Sequence, residues 1–338
     1  MTSKPTPGAE PGRRLLHSVI GLAVVGAIAT VLLLSVPGLQ GVGDRIARAQ
    51  PGWLTLAIAF ELLSCLGYVV GFGLVFSRVP RRLASRIAWS ELAANTVLSA
   101  GGTGGLGLGA WILHGKGMPG RRIVRRSVAI YLLTSAVSVA AAVVLGLALW
   151  MGILAGPRRP LLTLVPAAVG AAVIALVLLA RRWAPALARR LRPRFRRAAA
   201  AATALHDGVR EAVAIMRQPD WRLVGFVAYW AFDVAVLWAC FRGLGHAPPL
   251  ASITMGYLVG QQAGSIPLPG GLVVVEGGLI GALVLYHVEA APATAATLIF
   301  RTIVLWLPAV LGGVAFLLLR RHLGEPIALR PAHGERSS

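Results

Sequence analysis

The chain has 338 residues, of which 57% are hydrophobic and 13% charged, and its mean hydropathy is +0.74. A soluble domain of this length carries about a quarter charged residues, so this composition excludes the soluble class and indicates a polytopic helical membrane protein. The net charge of +21 would suit nucleic acid. In a membrane protein it instead predicts basic cytoplasmic loops that contact anionic lipid head groups, with no nucleic-acid partner.

Six apolar stretches are long enough to cross a bilayer. A polar tail of residues 1–14 precedes the first stretch, which we interpret as an uncleaved transmembrane helix because it is longer than a typical signal-peptide core. The predicted spans are Leu15–Val36, Trp53–Phe76, Ser127–Leu154, Leu161–Ala180, Leu223–Phe241 and Ala293–Leu319. They predict an all-α fold with one integral membrane domain over residues 15–323 and a second polar tail over residues 324–338.

Two further regions, Ile87–His114 and Leu250–His287, reach membrane depth but are interrupted by the glycine clusters GGTGG and PLPGG. Of the 33 basic residues, 27 lie on one side of the predicted topology and five on the other, which predicts that both termini are cytoplasmic. The first region then lies between two basic loops and the second between two loops poor in basic residues. Each is therefore predicted to be a re-entrant hairpin, one from each face, as in an inverted repeat around a wet cavity.

The two interrupted regions also share a weak sequence similarity. GGLGLGAWIL at 104–113 aligns with GGLVVVEGGL at 270–279, and SVAIYLLTSAV at 127–137 then faces ATLIFRTIVLW at 296–306. This register places Ala110 opposite Glu276. It predicts that the second hairpin carries an acidic group at a position where the first has none.

Residues 181–222 form the largest polar segment and hold eleven of the basic residues. Trp183, Leu187, Leu191 and Phe195 recur at helical spacing, which favours an amphipathic helix on the cytoplasmic membrane surface. An ordinary basic flank of the preceding span is the alternative, and the prolines within the segment argue against one continuous helix.

Five ionisable residues fall within segments at membrane depth: Glu61, Glu91, Asp233, Glu276 and Arg301. Each costs about 2.5–3.5 kcal/mol at a helix centre on insertion scales, so we expect these residues to face a cavity or to have partners. Arg301 has two candidate partners, Glu276 and Asp233, and the sequence leaves this choice open. A buried ion pair that only fixes helix packing is the structural alternative.

The second interruption supplies the features of an anion site. Its prolines cannot continue a helix, and its glycines allow a new half-helix to begin with free amide groups inside the bilayer. A carboxylate follows one turn later, and an arginine in the last span offers a fork of donors that suits a phosphate. Two polar residues before the first interruption are placed on the opposite wall. The predicted head-group site contains Glu91, Asn95, Asp233, Pro269, Gly270, Gly271, Glu276 and Arg301.

Neither a cofactor nor a metal is expected. Cys65 and Cys240 each lie within an apolar span, and they belong to no CxxC motif or Cys/His cluster. The sequence has no nucleophile elbow, P-loop or HExxH motif, so the chain is not expected to be an enzyme.

One pattern in the second half is specific: Pro-x-Pro-Gly-Gly-x-x-x-x-Glu, then an aromatic residue followed by Arg, then Trp-Leu-Pro. It is carried by Pro267, Pro269, Gly270, Gly271, Glu276, Phe300, Arg301, Trp306, Leu307 and Pro308. With this pattern the chain resembles the lysylphosphatidylglycerol synthase transmembrane region family, flippase-like membrane proteins of bacteria and archaea. The block Gly101–Pro119 resembles one branch of that family, and the resemblance covers nearly the whole chain past residue 15.

The resemblance implies a protein of the bacterial cytoplasmic membrane that moves a phospholipid or a lipid-linked polar head group between leaflets. In the best-known members a separate soluble domain attaches an amino acid to the lipid, and this chain shows no such domain, so lysyl transfer is not expected. Two alternatives remain, an accessory protein that binds lipid or a protein partner without transport, and an intramembrane glycolipid transferase. The lipid, the energy source and homodimer formation stay open.

Overall fold

The computed structural model describes residues 42–97, 103–191, 195–263 and 271–320, and its regular elements there are all helical. The first predicted span, both predicted tails and most of the two glycine interruptions lie outside these ranges. A short 3-10 turn, Trp221–Leu223, precedes the eighth helix. The α-helices are α1 Val42–Ala47, α2 Pro51–Val75, α3 Arg81–Val97, α4 Thr103–Gly115, α5 Gly120–Trp150, α6 Pro160–Leu191, α7 Arg196–Met216, α8 Val224–Gly243, α9 Leu250–Ala263, α10 Gly271–Leu285 and α11 Ala290–Arg320.

Five of these helices, α2, α5, α6, α8 and α11, are long and apolar enough to cross a membrane. Their apolar stretches run over 21 to 31 residues, and a bilayer crossing needs about 20. Each coincides with a predicted span, so the five predicted spans within the described residues are confirmed. Large apolar side chains such as Val144, Leu176 and Val310 are exposed on them, which suits contact with lipid tails and not with water.

The first interrupted region folds as two short helices. α3 and α4 have 17 and 13 residues, so at 1.5 Å per residue they are about 20–26 Å long, less than the ~30 Å hydrocarbon core. They pack antiparallel, because Asn95 of α3 lies beside Gly105 of α4 while Glu91 lies beside Gly109. α3 and α4 therefore form a helical hairpin that is too short to span.

The second interrupted region repeats this arrangement. α9 and α10 have 14 and 15 residues. They are antiparallel, because Gly256 lies beside Leu283 while Gly260, further along α9, lies beside Leu279. The predicted pair of short helical hairpins is thus present in the described residues.

The two hairpins belong to two equivalent units, α2–α5 and α8–α11, related by a shift of 170 residues. α5 and α11 each have 31 residues and begin at Gly120 and Ala290. The turns before them match in detail: Met118 N–H donates to the Leu113 carbonyl at 3.1 Å, and Val288 N–H donates to the Leu283 carbonyl at 3.0 Å.

Both of these turns end a half-helix with the same C-capping arrangement. Gly117 and His287 occupy equivalent positions and have positive φ angles of 86° and 66°. A left-handed residue followed by a hydrogen bond back over five residues is a Schellman cap. Since the same cap recurs 170 residues later, it fixes the register between the two units independently of side-chain identity.

This register shifts the first block of the sequence alignment by four residues and the second block by one. Leu106 stands opposite Glu276, where the alignment placed Ala110, and Glu91 stands opposite Gln261. The error has a physical cause: glycine-rich helical sequences match almost equally well at registers one turn apart, because residues four apart lie on the same helix face. The positions of the two Schellman caps do not have this one-turn ambiguity.

The two units are inverted relative to each other. The equivalent helices α2 and α8 cross antiparallel at the centre of the molecule: Trp53 contacts Trp238, and further along α2, Ser64 Oγ donates to the Tyr229 carbonyl at 2.8 Å. Equivalent helices that run in opposite directions must belong to inverted repeats, as predicted. The repeats also interlock, because α11 of the second packs against α3 of the first.

The basic segment between the repeats folds differently from the predicted surface helix. Residues 181–191 continue α6 through Pro185, and the amphipathic helix of the segment is α7. α7 packs against α5 and α6 and buries Val209 and Ala212. Ion pairs fasten it to the start of α5: Arg121 lies 3.2 Å from Asp207 and Arg125 lies 3.3 Å from Glu211.

The second repeat begins at a capped turn. Asp220 accepts hydrogen bonds from the backbone N–H of Arg222 at 3.0 Å and from its guanidinium at 2.6 Å. These bonds hold the pKa of the Asp220 carboxyl below its usual value. A side-chain acceptor at this position satisfies an amide group that the following helix leaves unpaired.

Candidate functional site

A chain of hydrogen bonds links three helices of the second repeat. Arg301 Nη2 on α11 donates to Gln261 Oε1 at 3.1 Å, and Gln261 Nε2 donates to the Tyr257 hydroxyl oxygen at 3.2 Å. The Tyr257 hydroxyl in turn donates to Asp233 on α8. Tyr257 and Gln261 lie one turn apart on α9 and so share one face of that helix. We call Asp233, Tyr257, Gln261 and Arg301 the polar chain.

The polar chain lies near the middle of the membrane-spanning helices. Asp233 is the tenth of the 20 residues of α8, and Arg301 is the twelfth of the 31 residues of α11. A helix rises 1.5 Å per residue, so Asp233 is about 15 Å from either end of α8, close to the centre of a ~30 Å core. A charged group at this depth raises the free energy of the protein unless it is paired or hydrated. In many membrane proteins such groups mark ligand or ion pathways.

A second carboxylate lies beside the polar chain. Glu61 is the eleventh of the 25 residues of α2 and is 3% exposed at the crossing with α8. The Cys65 thiol donates to Glu61 Oε1 at 3.4 Å, and Oε2 has no hydrogen-bond partner among the described residues. The charges of Glu61 and Asp233 act on each other. Two acceptor-rich carboxylates in this position can hold a proton or a cationic group.

Arg301 keeps donors that the described residues do not use. Its Nε is buried without a hydrogen-bond partner, while the side chain as a whole is partly exposed. Its charge acts on both Asp233 and Glu276, yet no ion pair within 4 Å joins it to a carboxylate in the described part of the chain. The question left open by the sequence is thus answered: Arg301 contacts Gln261, and Tyr257 relays that contact to Asp233.

The remaining predicted residues of the second hairpin are only partly covered. Pro269 and Gly270 lie outside the described residues, and Gly271 is the first residue of α10. Glu276 follows on α10 and is partly exposed. α10 begins at Gly271, directly after the interruption, where the sequence argument placed the start of a half-helix, and its start inside the bilayer stays a prediction.

Glu91 and Asn95 lie in the first hairpin and form a separate polar cluster. Tyr68 donates to Glu91 Oε2 at 2.6 Å, and the other carboxylate oxygen lies against Gly109. Asn95 Oδ1 accepts from the backbone N–H of Gly105 at 2.7 Å. Glu91 is 1% exposed. The described contacts of both residues tie α2, α3 and α4 together, and none of them joins the polar chain.

Sequence reasoning found Asp233 and Arg301 but missed two members of the polar chain. Tyr257 and Gln261 are neutral, so a search for ionisable residues at membrane depth passes over them. Their spacing is the signal that was available: a tyrosine and a glutamine one turn apart precede the PLPGG interruption. Glu61 was named as a membrane charge but not as a site residue, and the structure places it beside Asp233.

Comparison with known proteins gives two findings. A family model described as "Lysylphosphatidylglycerol synthase TM region" matches residues 18–312, which include both repeats almost completely. A "UPF0104 membrane protein" of the archaeon Methanothermobacter thermautotrophicus is 32% identical over 97 residues. That second match covers 28% of this chain and 28% of the archaeal protein.

Proposed function

Because the chain belongs to the lysylphosphatidylglycerol synthase transmembrane region family, we propose that it moves a phospholipid or lipid-linked polar head group across the membrane. The observation that carries this proposal is the polar chain from Asp233 to Arg301, a connected set of donors and acceptors at the centre of an integral membrane protein. A head group that leaves the water needs such partners, because polar groups cannot be buried in hydrocarbon without them.

The chemistry of the site suits a head group that carries both a phosphate and a cationic group. Arg301 offers guanidinium donors for phosphate oxygens, and an arginine fork binds such oxygens in pairs. Glu61, Asp233 and Glu276 offer three carboxylates against this single arginine. A phosphate alone would leave the carboxylates unmatched, whereas an amine elsewhere on the head group would meet them.

The architecture supports alternating access to this site. Two inverted repeats around a polar centre allow one hairpin to open while the other closes, as in other transporters built from inverted repeats. The distribution of basic residues supports a cytoplasmic position for both termini. In this arrangement the first hairpin enters from the cytoplasm and the second from outside, within the cytoplasmic membrane.

Reconstituted vesicles provide the test. The purified protein is incorporated into liposomes with head-group-labelled phosphatidylethanolamine or phosphatidylglycerol, a membrane-impermeant quencher destroys the label in the outer leaflet, and the loss of the protected inner-leaflet label is followed. Arg301→Ala and Glu276→Gln are expected to slow leaflet exchange by at least about tenfold, since each removes a charged group that would contact the lipid head group. Arg159→Ala, which removes an exposed arginine outside the spans, is the control and should keep the wild-type rate.

The outcomes separate transport from the alternatives. If labelled lipid binds the wild type but stays in its leaflet, the protein is a lipid-binding accessory factor and not a flippase. If Arg301→Ala and Glu276→Gln both exchange lipid at the wild-type rate, the membrane charges serve packing only.

A further inference from the structure

A cavity of about 750 Å³ lies between the start of α5, the end of α6 and the first half of α7, away from the polar chain. Four arginines and a histidine line it, together with small apolar side chains. The basic lining residues are Arg121, Arg125, Arg189, Arg196 and His206, and Val124, Ala188, Ala199 and Ala200 are among the apolar ones. Its walls thus combine cationic donors with a surface that an acyl chain can contact.

The depth of this cavity corresponds to the lipid head groups. The apolar span of α6 ends at Ala180, whereas the cavity is lined by α6 from Pro185 to Arg189. At 1.5 Å per residue these positions lie about 8–14 Å beyond the end of that apolar stretch, where we expect lipid head groups. On α5 the lining residues are in the first two turns of a helix of 31 residues, which is longer than the core requires.

Several cationic groups in the cavity have no partner within the protein. Arg121 and Arg125 are bound to carboxylates of α7. By contrast, Arg189 and Arg196 line the cavity with exposed side chains, and no hydrogen bond or ion pair joins either of them to another residue in the described ranges. His206 Nδ1 is buried and also lacks a hydrogen-bond partner in that part of the chain. Two exposed guanidinium groups without a protein acceptor therefore border the cavity, which also contains the Thr203 hydroxyl and the Asp207 carboxylate that Arg121 binds.

We propose that this cavity binds the phosphate of an anionic phospholipid of the phosphatidylglycerol class. Arg189 and Arg196 donate to the phosphate oxygens. The acyl chains lie along the alanine-rich wall toward the span of α6. This lipid would fasten α7 to the spans and occupy a site separate from Arg301, so it is bound, not transported.

Binding of short-chain phosphatidylglycerol to the purified full-length protein in detergent tests this assignment. Arg189→Gln combined with Arg196→Gln is expected to weaken binding by about tenfold or more, because two charged contacts to phosphate are lost. Arg210→Gln combined with Arg217→Gln is the matched control: both arginines are exposed on α7 or at its end, neither lines the cavity, and the net charge falls equally. Ala200→Phe fills the cavity without changing charge and should also abolish binding.

Each other outcome overturns the proposal in a distinct way. Equal binding of phosphatidylcholine would mean that the cavity selects acyl chains and not an anionic head group. Displacement of the lipid by equimolar inorganic phosphate would identify a soluble anion as the ligand. An equal loss in both arginine pairs, or normal binding by Ala200→Phe, would show general attraction to a basic surface. Unchanged thermal unfolding of each variant excludes misfolding as the cause.

Discussion

Tyr257 is the residue that joins the arginine side of the polar chain to its acidic side. Its hydroxyl accepts from Gln261 and donates to Asp233, so a single oxygen completes the connection between α9 and α8. Phenylalanine at this position keeps the ring, which packs edge-on against Phe300, but removes that oxygen. Asp233 would then lose its hydroxyl donor, and the amide of Gln261 would lose one acceptor.

We predict that Tyr257→Phe still inserts, with a lower midpoint of thermal unfolding, but exchanges lipid at least about tenfold more slowly, because a hydrogen bond to a charged group is lost. The leaflet-exchange assay measures the rate. Tyr131→Phe is the control, because it makes the same side-chain change at a tyrosine that is exposed on α5. Tyr131 occupies the position in the first repeat that is equivalent to Arg301 in the second. A wild-type rate in Tyr257→Phe would mean that the polar chain is not used in transport.

Helix packing between the two repeats depends on one close approach of α11 to α3. A side chain at Gly312 would collide with the backbone oxygen of Trp89 and lie 2.7 Å from the Ala93 Cβ, whereas the next residue, Gly313, has no atom of another element within 4 Å. The two glycines therefore differ in function although they are adjacent. Gly312 lets the repeats meet, and Gly313 faces open space.

Alanine substitutions separate these roles. Gly312→Ala forces α11 away from α3 and is expected to cost about 1–3 kcal/mol, seen as a lower midpoint of thermal unfolding in detergent. Gly313→Ala should leave the midpoint unchanged or raise it slightly, because alanine favours the helix by about 0.5–1 kcal/mol. Equal midpoints for the two variants would show that α3 and α11 do not pack closely in the membrane protein.

The elements were predictable from the sequence to different degrees. The spans followed from apolar length, and the short hairpins followed from glycine clusters and the charge of flanking loops, since both depend on local composition. The repeat register could not be predicted in this way, because glycine pairs match at several registers. The Schellman caps that decide the register are defined by backbone geometry and not by residue type. The course of α6 through Pro185 was also missed, since a proline only weakly predicts where a supported helix ends.

At the scale of the whole molecule, the repeats interlock instead of lying side by side. α2 and α8 cross antiparallel at the centre, and α11 of one unit packs on α3 of the other. The polar chain belongs wholly to the second repeat, whereas its acidic neighbour Glu61 belongs to the first. The sequence could place each charge on its span, but only the crossing of α2 and α8 shows that Glu61 and Asp233 lie close enough for their charges to interact.

The inversion makes a prediction about sidedness that does not depend on transport. Pro119 and Glu289 occupy equivalent positions 170 residues apart, at the exposed ends of the two hairpins. In an inverted repeat with cytoplasmic termini they must lie on opposite sides of the membrane. Single cysteines at these positions report this directly, in a background where the buried Cys65 and Cys240 are replaced by alanine.

A membrane-impermeant maleimide applied to intact spheroplasts is expected to label Glu289→Cys and to leave Pro119→Cys unlabelled until the membrane is permeabilised. His246→Cys, in the loop before α9, should be labelled with Glu289→Cys, and Gln218→Cys, after α7, should behave like Pro119→Cys. Labelling of Pro119→Cys and Glu289→Cys from the same side would rule out opposed hairpins in the membrane. A full reversal of the labelling pattern would still fit inverted repeats, but it would place both termini outside the membrane. That orientation would contradict the cytoplasmic position that the distribution of basic residues predicts for the termini.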